Sequence, residues 1–207
     1  MKSMLAVIVG ASIAAAAAAQ IRITEWMYDG NGGEFIELTN VGNTAIDMSG
    51  WSYDDDSRIP GVFDLSGFGL VQSGQSVILS EVAASQFRTS WSLAATVMIL
   101  GGYTNNLGRN DEINIFDAMG NVVDRLTYGD QNFPGTIRTQ RISGNPMSDL
   151  AIGANDPFQW ALSFTGDAFG SYFNDVGDLG NPGYYIPTPG AAALLGVAGL
   201  VAGRRRR

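Results

Sequence analysis

The chain of 207 residues contains 12 lysines and arginines against 20 aspartates and glutamates, and it contains neither cysteine nor histidine. The lack of cysteine excludes a disulfide framework. The lack of histidine excludes the commonest general base, the Ser-His and Cys-His nucleophile pairs and most zinc sites, so that carboxylate chemistry is the main route left for catalysis.

The first residues, MKSMLAVIVGASIAAAAAAQ, have the layout of a secretory signal peptide. Lys2 supplies the basic start, an apolar run follows, and Ala17 and Ala19 fit the small-residue positions before a cleavage site. We therefore predict an N-terminal signal helix over residues 1–19, cleaved between Ala19 and Gln20. An uncleaved membrane anchor is the alternative, but the polar Gln20 and the strand-like IRITEW after it favour cleavage.

Short β-rich segments separated by Gly and Asn fill the body of the chain: IRITEWMY, EFIELTNV, AIDMSGWSY, SVILSE, TVMIL, EINIFDA, VVDRLTY and TIRTQRIS. Several of them alternate apolar and polar residues, which predicts an all-β sandwich or barrel. The stretch DAMGNVVD predicts a hairpin in which Gly120 takes a positive φ. The one helix predicted in the body is SEVAASQFRTSW, capped by Ser80. Its apolar side would consist of Val82, Phe87 and Trp91.

The body of the chain is strongly acidic. Lys2 and Arg204 to Arg207 lie in the terminal segments, which leaves 7 basic residues against all 20 acidic ones and a body charge of about −13 (7 minus 20). Such a charge repels nucleic acid phosphates and anionic lipid head groups, so we expect no nucleic acid partner. It suits a solvated protein that attracts cations.

Three adjacent carboxylates, Asp54, Asp55 and Asp56, follow Trp51 at the end of a predicted strand. A hard cation such as Ca²⁺ would relieve their repulsion, and Ca²⁺ is the one cofactor that the sequence suggests. Successive strand residues point to opposite faces, so the three converge only in a turn, and a solvated acidic turn is the alternative. Trp26 and Trp51 are expected in the core rather than in a binding groove.

Three stretches in this order resemble the lamin-tail domain family: EFIELTNVGNTAIDMSGWSYDDDS, GQSVILSE and GRNDEINIFDAMGNVVDRLTYGD. The later TQRIS and GNPG are similar to the end of such domains. The resemblance implies an immunoglobulin-like β-sandwich domain over residues 20–185. The segment FQWALSFTGDAFGSYFNDVGDLGNPG is longer than the family pattern, which predicts an extra loop or strand there.

The end of the chain, residues 186–207, combines a proline pair, an apolar run and four arginines. The run from Gly190 to Gly203 has 14 residues, about 21 Å as a helix against the roughly 30 Å of a hydrocarbon core, so it is a marginal span by itself. Tyr184 and Tyr185 would lie at one membrane interface. Basic residues beside a span stay cytoplasmic, so the arginines would place the body of the protein outside the inner membrane.

The same three parts resemble a PEP-CTERM sorting signal. Pro187, Thr188 and Pro189 match its Pro-x-Pro motif, with Thr188 where the usual motif has Glu. Residues 191–202 match its apolar helix, and Arg204, Arg205, Arg206 and Arg207 match its terminal cluster. The resemblance implies cleavage near the motif by an exosortase-type membrane protease, followed by release to the cell envelope or extracellular matrix. A permanent tail anchor is the alternative.

Three functions follow from these observations. The first is a non-enzymatic interaction or structural module, which the export translocon and the sorting protease deliver to the cell envelope or matrix, where exopolysaccharide is a candidate partner. The second is a secreted Ca²⁺-dependent carbohydrate-binding module. The third is a secreted hydrolase with a carboxylate pair drawn from Glu25, Glu34, Glu37 or Glu81. We predict that the chain is not an enzyme, because these glutamates are expected on solvated strand faces and other catalytic signatures are missing.

Overall fold

The computed structural model describes residues 20–187. The predicted signal helix over residues 1–19 and the apolar run with its arginines lie outside the described residues. Within residues 20–187, the structure contains no helix that is both long and apolar enough to cross a membrane.

The described chain is built mainly of short strands, which confirms the predicted all-β class. In chain order the strands are β1 (Ile21–Met27), β2 (Phe35–Asn40), β3 (Ile46–Asp47), β4 (Ser52–Asp54), β5 (Phe63–Asp64), β6 (Leu70–Val71), β7 (Ser76–Ser80), β8 (Met98–Gly101), β9 (Asp111–Phe116), β10 (Val122–Tyr128), β11 (Gly144–Pro146), β12 (Trp160–Leu162), β13 (Tyr172–Phe173) and β14 (Leu179–Gly180). One α-helix, α1 (Ala84–Ser90), and two 3-10 helices (Ser66–Phe68 and Pro157–Gln159) complete the fold.

Two main sheets form the sandwich. The larger has the order β12-β11-β1-β2-β7-β8, and its neighbours are antiparallel except for the parallel pair β7 and β8. The smaller has the order β10-β9-β4-β5, all antiparallel. Two further pairs, β3 with β6 and β13 with β14, lie outside these sheets.

The main core lies between the two sheets. Trp26 of β1 is buried there with its ring centroid 3.9 Å from that of Tyr128 on β10, so the expectation of a core position is confirmed for Trp26. Trp51 is partly buried and packs against the same core from its edge. The alternating strand EINIFD contributes Ile113 and Ile115 to this core, as period-two patterning predicts.

A second, smaller core covers the other face of the large sheet. It consists of Met27, Phe35 and Ile78 from the sheet and Phe87 and Trp91 from the region of α1. The predicted apolar side is thus confirmed for Phe87 and Trp91, whereas Val82 lies before the start of the helix and packs against the same core.

The predicted cap of the helix is wrong. Ser80 is the last residue of β7, and α1 begins after Ala83 without any side-chain cap. The helix is therefore held by the packing of its apolar face rather than by a capping hydroxyl.

The hairpin predicted from DAMGNVVD is present between β9 and β10, with Gly120 at φ 80°. The strand predicted from TIRTQRIS is wrong: residues 136–143 form only isolated bridges at Gln140 and Ile142. The extra structure predicted in the late segment is present as the pair β13 and β14. The C-terminal segment, residues 164–187, contacts the outer face of the large sheet through Asn181 and Gly183.

Candidate functional site

A groove of about 510 Å³ lies at the end of the sandwich where β1 begins and β2 ends. The backbone carbonyl of Gln20 accepts a hydrogen bond from the Val41 N–H at 2.9 Å, which fixes the start of β1 beside the end of β2. On the other side of the groove, the Tyr185 hydroxyl donates to Asp149 Oδ1 at 2.7 Å. The lining residues are Gln20, Arg22, Thr39, Asn40, Val41, Gly42, Ser73, Gly74, Asp149, Ile152, Tyr185 and Pro187.

The groove brings together the two processing positions that fall within the described residues. Gln20, which follows the predicted signal cleavage, and Pro187, which opens the predicted sorting motif, both line it. The other predicted positions, Ala19, Thr188, Pro189, Arg204, Arg205, Arg206 and Arg207, lie outside the described residues.

A second polar centre is the carboxyl pair of Glu25 and Glu37. The two residues are direct partners in the antiparallel register of β1 and β2, and both are completely buried. A register shift between Ile23 and Glu25 turns the Glu25 side chain away from the main core. Both carboxyls therefore lie on the outer face of the large sheet, underneath residues 164–187.

Backbone groups of the C-terminal segment bind both carboxyls. The Asn181 N–H donates to Glu25 Oε1 at 2.8 Å, and the Gly183 N–H donates to Glu37 Oε2 at 2.7 Å. From the sheet side, the Thr24 hydroxyl donates to Glu37 Oε1 at 2.7 Å, and Ser143 donates to Glu25 Oε1. Within the described part of the chain, Glu25 Oε2 has no hydrogen-bond partner.

Burial makes the ionised form of each carboxyl costly. It raises the pKa of Glu37 to about 7, although the hydrogen bonds from Thr24 and from the Gly183 N–H act in the opposite direction. Burial, and then the negative charge of Glu37, raise the pKa of Glu25 well above its ordinary value. The pair therefore titrates as a unit, and near neutral pH it retains a proton.

The other two glutamates considered for catalysis also make structural contacts. Glu34 is buried and accepts from the Leu107 N–H at 2.7 Å, and burial raises its pKa to about 8. Glu81, which is partly exposed, accepts from the Glu34 N–H at 3.3 Å. The expectation that these glutamates lie on solvated strand faces is wrong for Glu25, Glu34 and Glu37. The C-terminal segment covers Glu25 and Glu37, whereas Leu107 and Tyr103 lie against Glu34.

The three aspartates predicted to bind Ca²⁺ do not converge. Asp54 is completely buried, and it accepts hydrogen bonds from Ser57 Oγ at 2.6 Å, from the Ile59 N–H at 2.5 Å and from Asn105 Nδ2 at 2.7 Å. Between residues 20 and 187 no group of three His, Cys, Asp or Glu side chains is arranged to hold a metal ion. Asp54 instead acts as the anchor of the turn that follows it.

That turn folds back over the smaller sheet. Arg58 donates from Nε to Glu112 Oε2 at 2.7 Å and from Nη2 to Glu112 Oε1 at 2.5 Å. Asn114 of β9 donates through Nδ2 to the carbonyl of Asp55 at 2.7 Å. The acidic run and its contacts therefore hold residues 55–62 against the smaller sheet. The adjacent positions of the three carboxylates in the sequence did not indicate this role.

The family model described as Lamin Tail Domain matches residues 14–130, more than half of the 207 residues. No curated protein matches the chain. Within the described residues the match contains β1 to β10 and ends before β11, so the strands and loops that cover the carboxyl pair lie beyond it.

Proposed function

This chain belongs to the lamin tail domain family, and from that membership we propose that it is an exported, non-enzymatic structural or interaction module of the cell envelope or extracellular matrix. The family consists of non-catalytic immunoglobulin-like domains. Fold alone does not define function, so the proposal depends on the site as well.

The observation that carries the proposal is that two acidic side chains are buried and hydrogen bonded to the backbone. Glu25 and Glu37 are buried beneath residues 164–187 and are bound by backbone N–H groups of that segment. A carboxylate pair that cleaves glycosides must reach its substrate and leave room for a sugar ring. The carboxyls of Glu25 and Glu37, which were candidates for catalysis, therefore serve to hold the C-terminal segment on the sheet.

The delivery route is proposed from the terminal sequences. The signal-like residues 1–19 would direct export through the translocon, and the apolar run with Arg204 to Arg207 would hold the C-terminus in the inner membrane. An exosortase-type protease would then cut near Pro187, Thr188 and Pro189. The released domain, with its charge of about −13 (7 minus 20), would remain soluble among matrix components such as exopolysaccharide.

Intact mass spectrometry of the protein, isolated separately from membranes and from the medium, tests this proposal. We expect a species in the medium that begins at Gln20 and ends near Pro187. A matched variant with Arg204 to Arg207 replaced by Gln should accumulate unprocessed. A single cytoplasmic species that retains both Met1 and Arg207 would overturn the proposal.

A substrate panel tests the absence of catalysis separately. The purified protein should turn over none of a range of glycosides and esters. Turnover that disappears in Glu37→Gln, while the variant stays folded, would show that the chain is an enzyme.

A further inference from the structure

Both limits of the described chain lie at one end of the sandwich. Gln20 and Pro187 line the same groove, and Gln20 is hydrogen bonded to the turn after β2. The opposite end is about 20 Å away, since β1 rises roughly 3.3 Å per residue over its seven residues. Tyr128 contacts Trp26 near the far end of β1 and pairs with Asp111 at the start of β9. Asn132 belongs to the same end, because its N–H donates to Asn110 Oδ1 just before β9.

Three large apolar residues that adjoin groove-lining residues in the sequence have exposed side chains. The exposed fraction is 83% for Leu150, 45% for Tyr184 and 40% for Ile186. Leu150 follows Asp149, and the hydrogen bond from Tyr185 to Asp149 ties its loop to the C-terminal segment. These three side chains, which we call the groove-end patch, therefore project from neighbouring segments that are held together.

The sequence brings this patch close to the apolar run. Gly190 is three residues after Pro187, and an extended chain spans at most about 3.6 Å per residue, so the two are separated by no more than about 11 Å. When the run lies in a bilayer, the groove end must therefore lie at the level of the lipid head groups. Tyrosine and aliphatic side chains are favoured at that depth.

We propose that the groove-end patch of Leu150, Tyr184 and Ile186 docks on the lipid bilayer and holds the tethered domain upright on the membrane surface. The inference depends on the proposed insertion of the C-terminal run. The acidic body disfavours anionic lipid, so the contact is apolar and belongs to a zwitterionic surface. The end that carries Asn132 then points away from the membrane.

Spin labelling of the full chain in phosphatidylcholine vesicles tests the proposal, and the absence of cysteine makes single labels clean. Nitroxides are placed at Leu150→Cys, at Ile186→Cys and, as a control at the opposite end, at Asn132→Cys. The readout is the accessibility of each label to oxygen relative to a water-soluble nickel chelate. We expect this ratio to be several-fold higher at positions 150 and 186 than at position 132.

Two further variants separate the possible results. Leu150→Glu, at a side chain outside the core, should return the label at position 186 toward the value at position 132. A label at Ala198→Cys reports on the run itself. A membrane-buried label at position 198 with a water-like label at position 150 would overturn the lipid contact alone. A water-like label at position 198 would overturn the insertion of the run, and the docking with it.

Discussion

Glu25 and Glu37 face each other across two neighbouring antiparallel strands, and both carboxyl groups are completely buried. Two ionised carboxyls in this cross-strand position would repel each other, and among residues 20–187 no cationic side chain is hydrogen bonded to either carboxyl. The attachment of residues 181–183 to the sheet therefore depends on the protonation of the pair.

The first prediction is that the free energy of unfolding falls as the pH rises from about 5 to about 8. Burial raises the pKa of Asp124 to about 6, of Glu37 to about 7 and of Glu34 to about 8. The unfolded carboxyls lose their protons near pH 4, so the folded chain binds more protons across this range. The stabilisation is complete below the unfolded pKa values and is lost as the pH passes the folded ones.

Urea unfolding curves at pH 5, 6.5 and 8 measure this dependence. A free energy of unfolding that increases with pH over the same range would contradict it. Glu112 provides an internal contrast, because its hydrogen bonds with Arg58 lower its pKa to about 2. The stabilisation that Glu112 contributes is present above the pKa of its unfolded form and is lost only as the pH falls toward 2.

The second prediction concerns Glu37→Gln. The amide removes the cost of burying an ionised carboxyl and keeps an oxygen that can accept from the Gly183 N–H. We expect the variant to be more stable than the parent at pH 8 by about 1–3 kcal/mol, with a flatter pH dependence and little change at pH 5. Urea unfolding at both pH values measures the difference.

Asp64→Asn is the matched control for that charge change, because Asp64 is exposed and its pKa is lowered by Ser66. It should leave the dependence between pH 5 and pH 8 unchanged. Equal destabilisation of Glu37→Gln at the two pH values would show that Glu37 carries no excess proton in the folded state.

The third prediction concerns the loop between β1 and β2. Asp178 is completely buried, and its carboxylate accepts from the Asn31 N–H at 2.9 Å and from the Gly32 N–H at 2.7 Å. Asp178→Ala leaves both donors without their acceptor and Arg141 without its partner, so we expect a loss of about 2–4 kcal/mol. Hydrogen exchange should accelerate at residues 31 and 32 before global unfolding.

Asp175→Ala is the control for this loop. Asp175 is exposed, and its carboxylate accepts from the Ser90 hydroxyl at 2.5 Å. Its removal should cost clearly less than the removal of Asp178. Similar losses in the two variants would show that the backbone contacts of Asp178 contribute little.

The fourth prediction concerns the acidic turn. Asp54→Ala removes the acceptor of three hydrogen bonds, two from Ser57 and Ile59 in the turn and one from Asn105, and we expect a loss of about 2–4 kcal/mol. Because the Asp54 carboxylate is already bound by donors of the chain itself, Ca²⁺ at roughly millimolar concentration should shift the melting temperature of neither the parent nor the variant. A Ca²⁺-dependent increase in the parent alone would restore the metal hypothesis.

Sequence patterns predicted the parts of the fold that local rules determine. The β9–β10 hairpin follows from alternation on both sides of Gly120, and the buried face of α1 follows from the spacing of Phe87 and Trp91. The alternation of inward and outward side chains does not hold along the whole of β1. The register shift after Ile23 changes which residues face the core, so Trp26 points inward three residues later and Glu25 points outward.

The burial of the carboxyl pair could not be predicted from the sequence for a different reason. The outer face of the large sheet carries Thr24, Glu37, Thr39 and Ser76. Such polar side chains predict a face that is exposed to solvent. It is buried by a segment that lies about 150 residues later in the chain, with Gly183 at a sequence distance of 146 from Glu37. Alternation within a strand reports on its two faces but not on which distant segment covers them.

If the C-terminal run anchors the chain as proposed, the position of Pro187 determines where tension enters the domain. A pull on the tail is applied first to the last residues of the C-terminal segment, so the Gly183–Glu37 contact is strained before the Asn181–Glu25 contact. Contacts loaded one after another peel apart at lower force than contacts loaded together. Under tension on the tether, residues 164–187 would come away while the sandwich beneath them stays closed, and the chain would lengthen without unfolding its core.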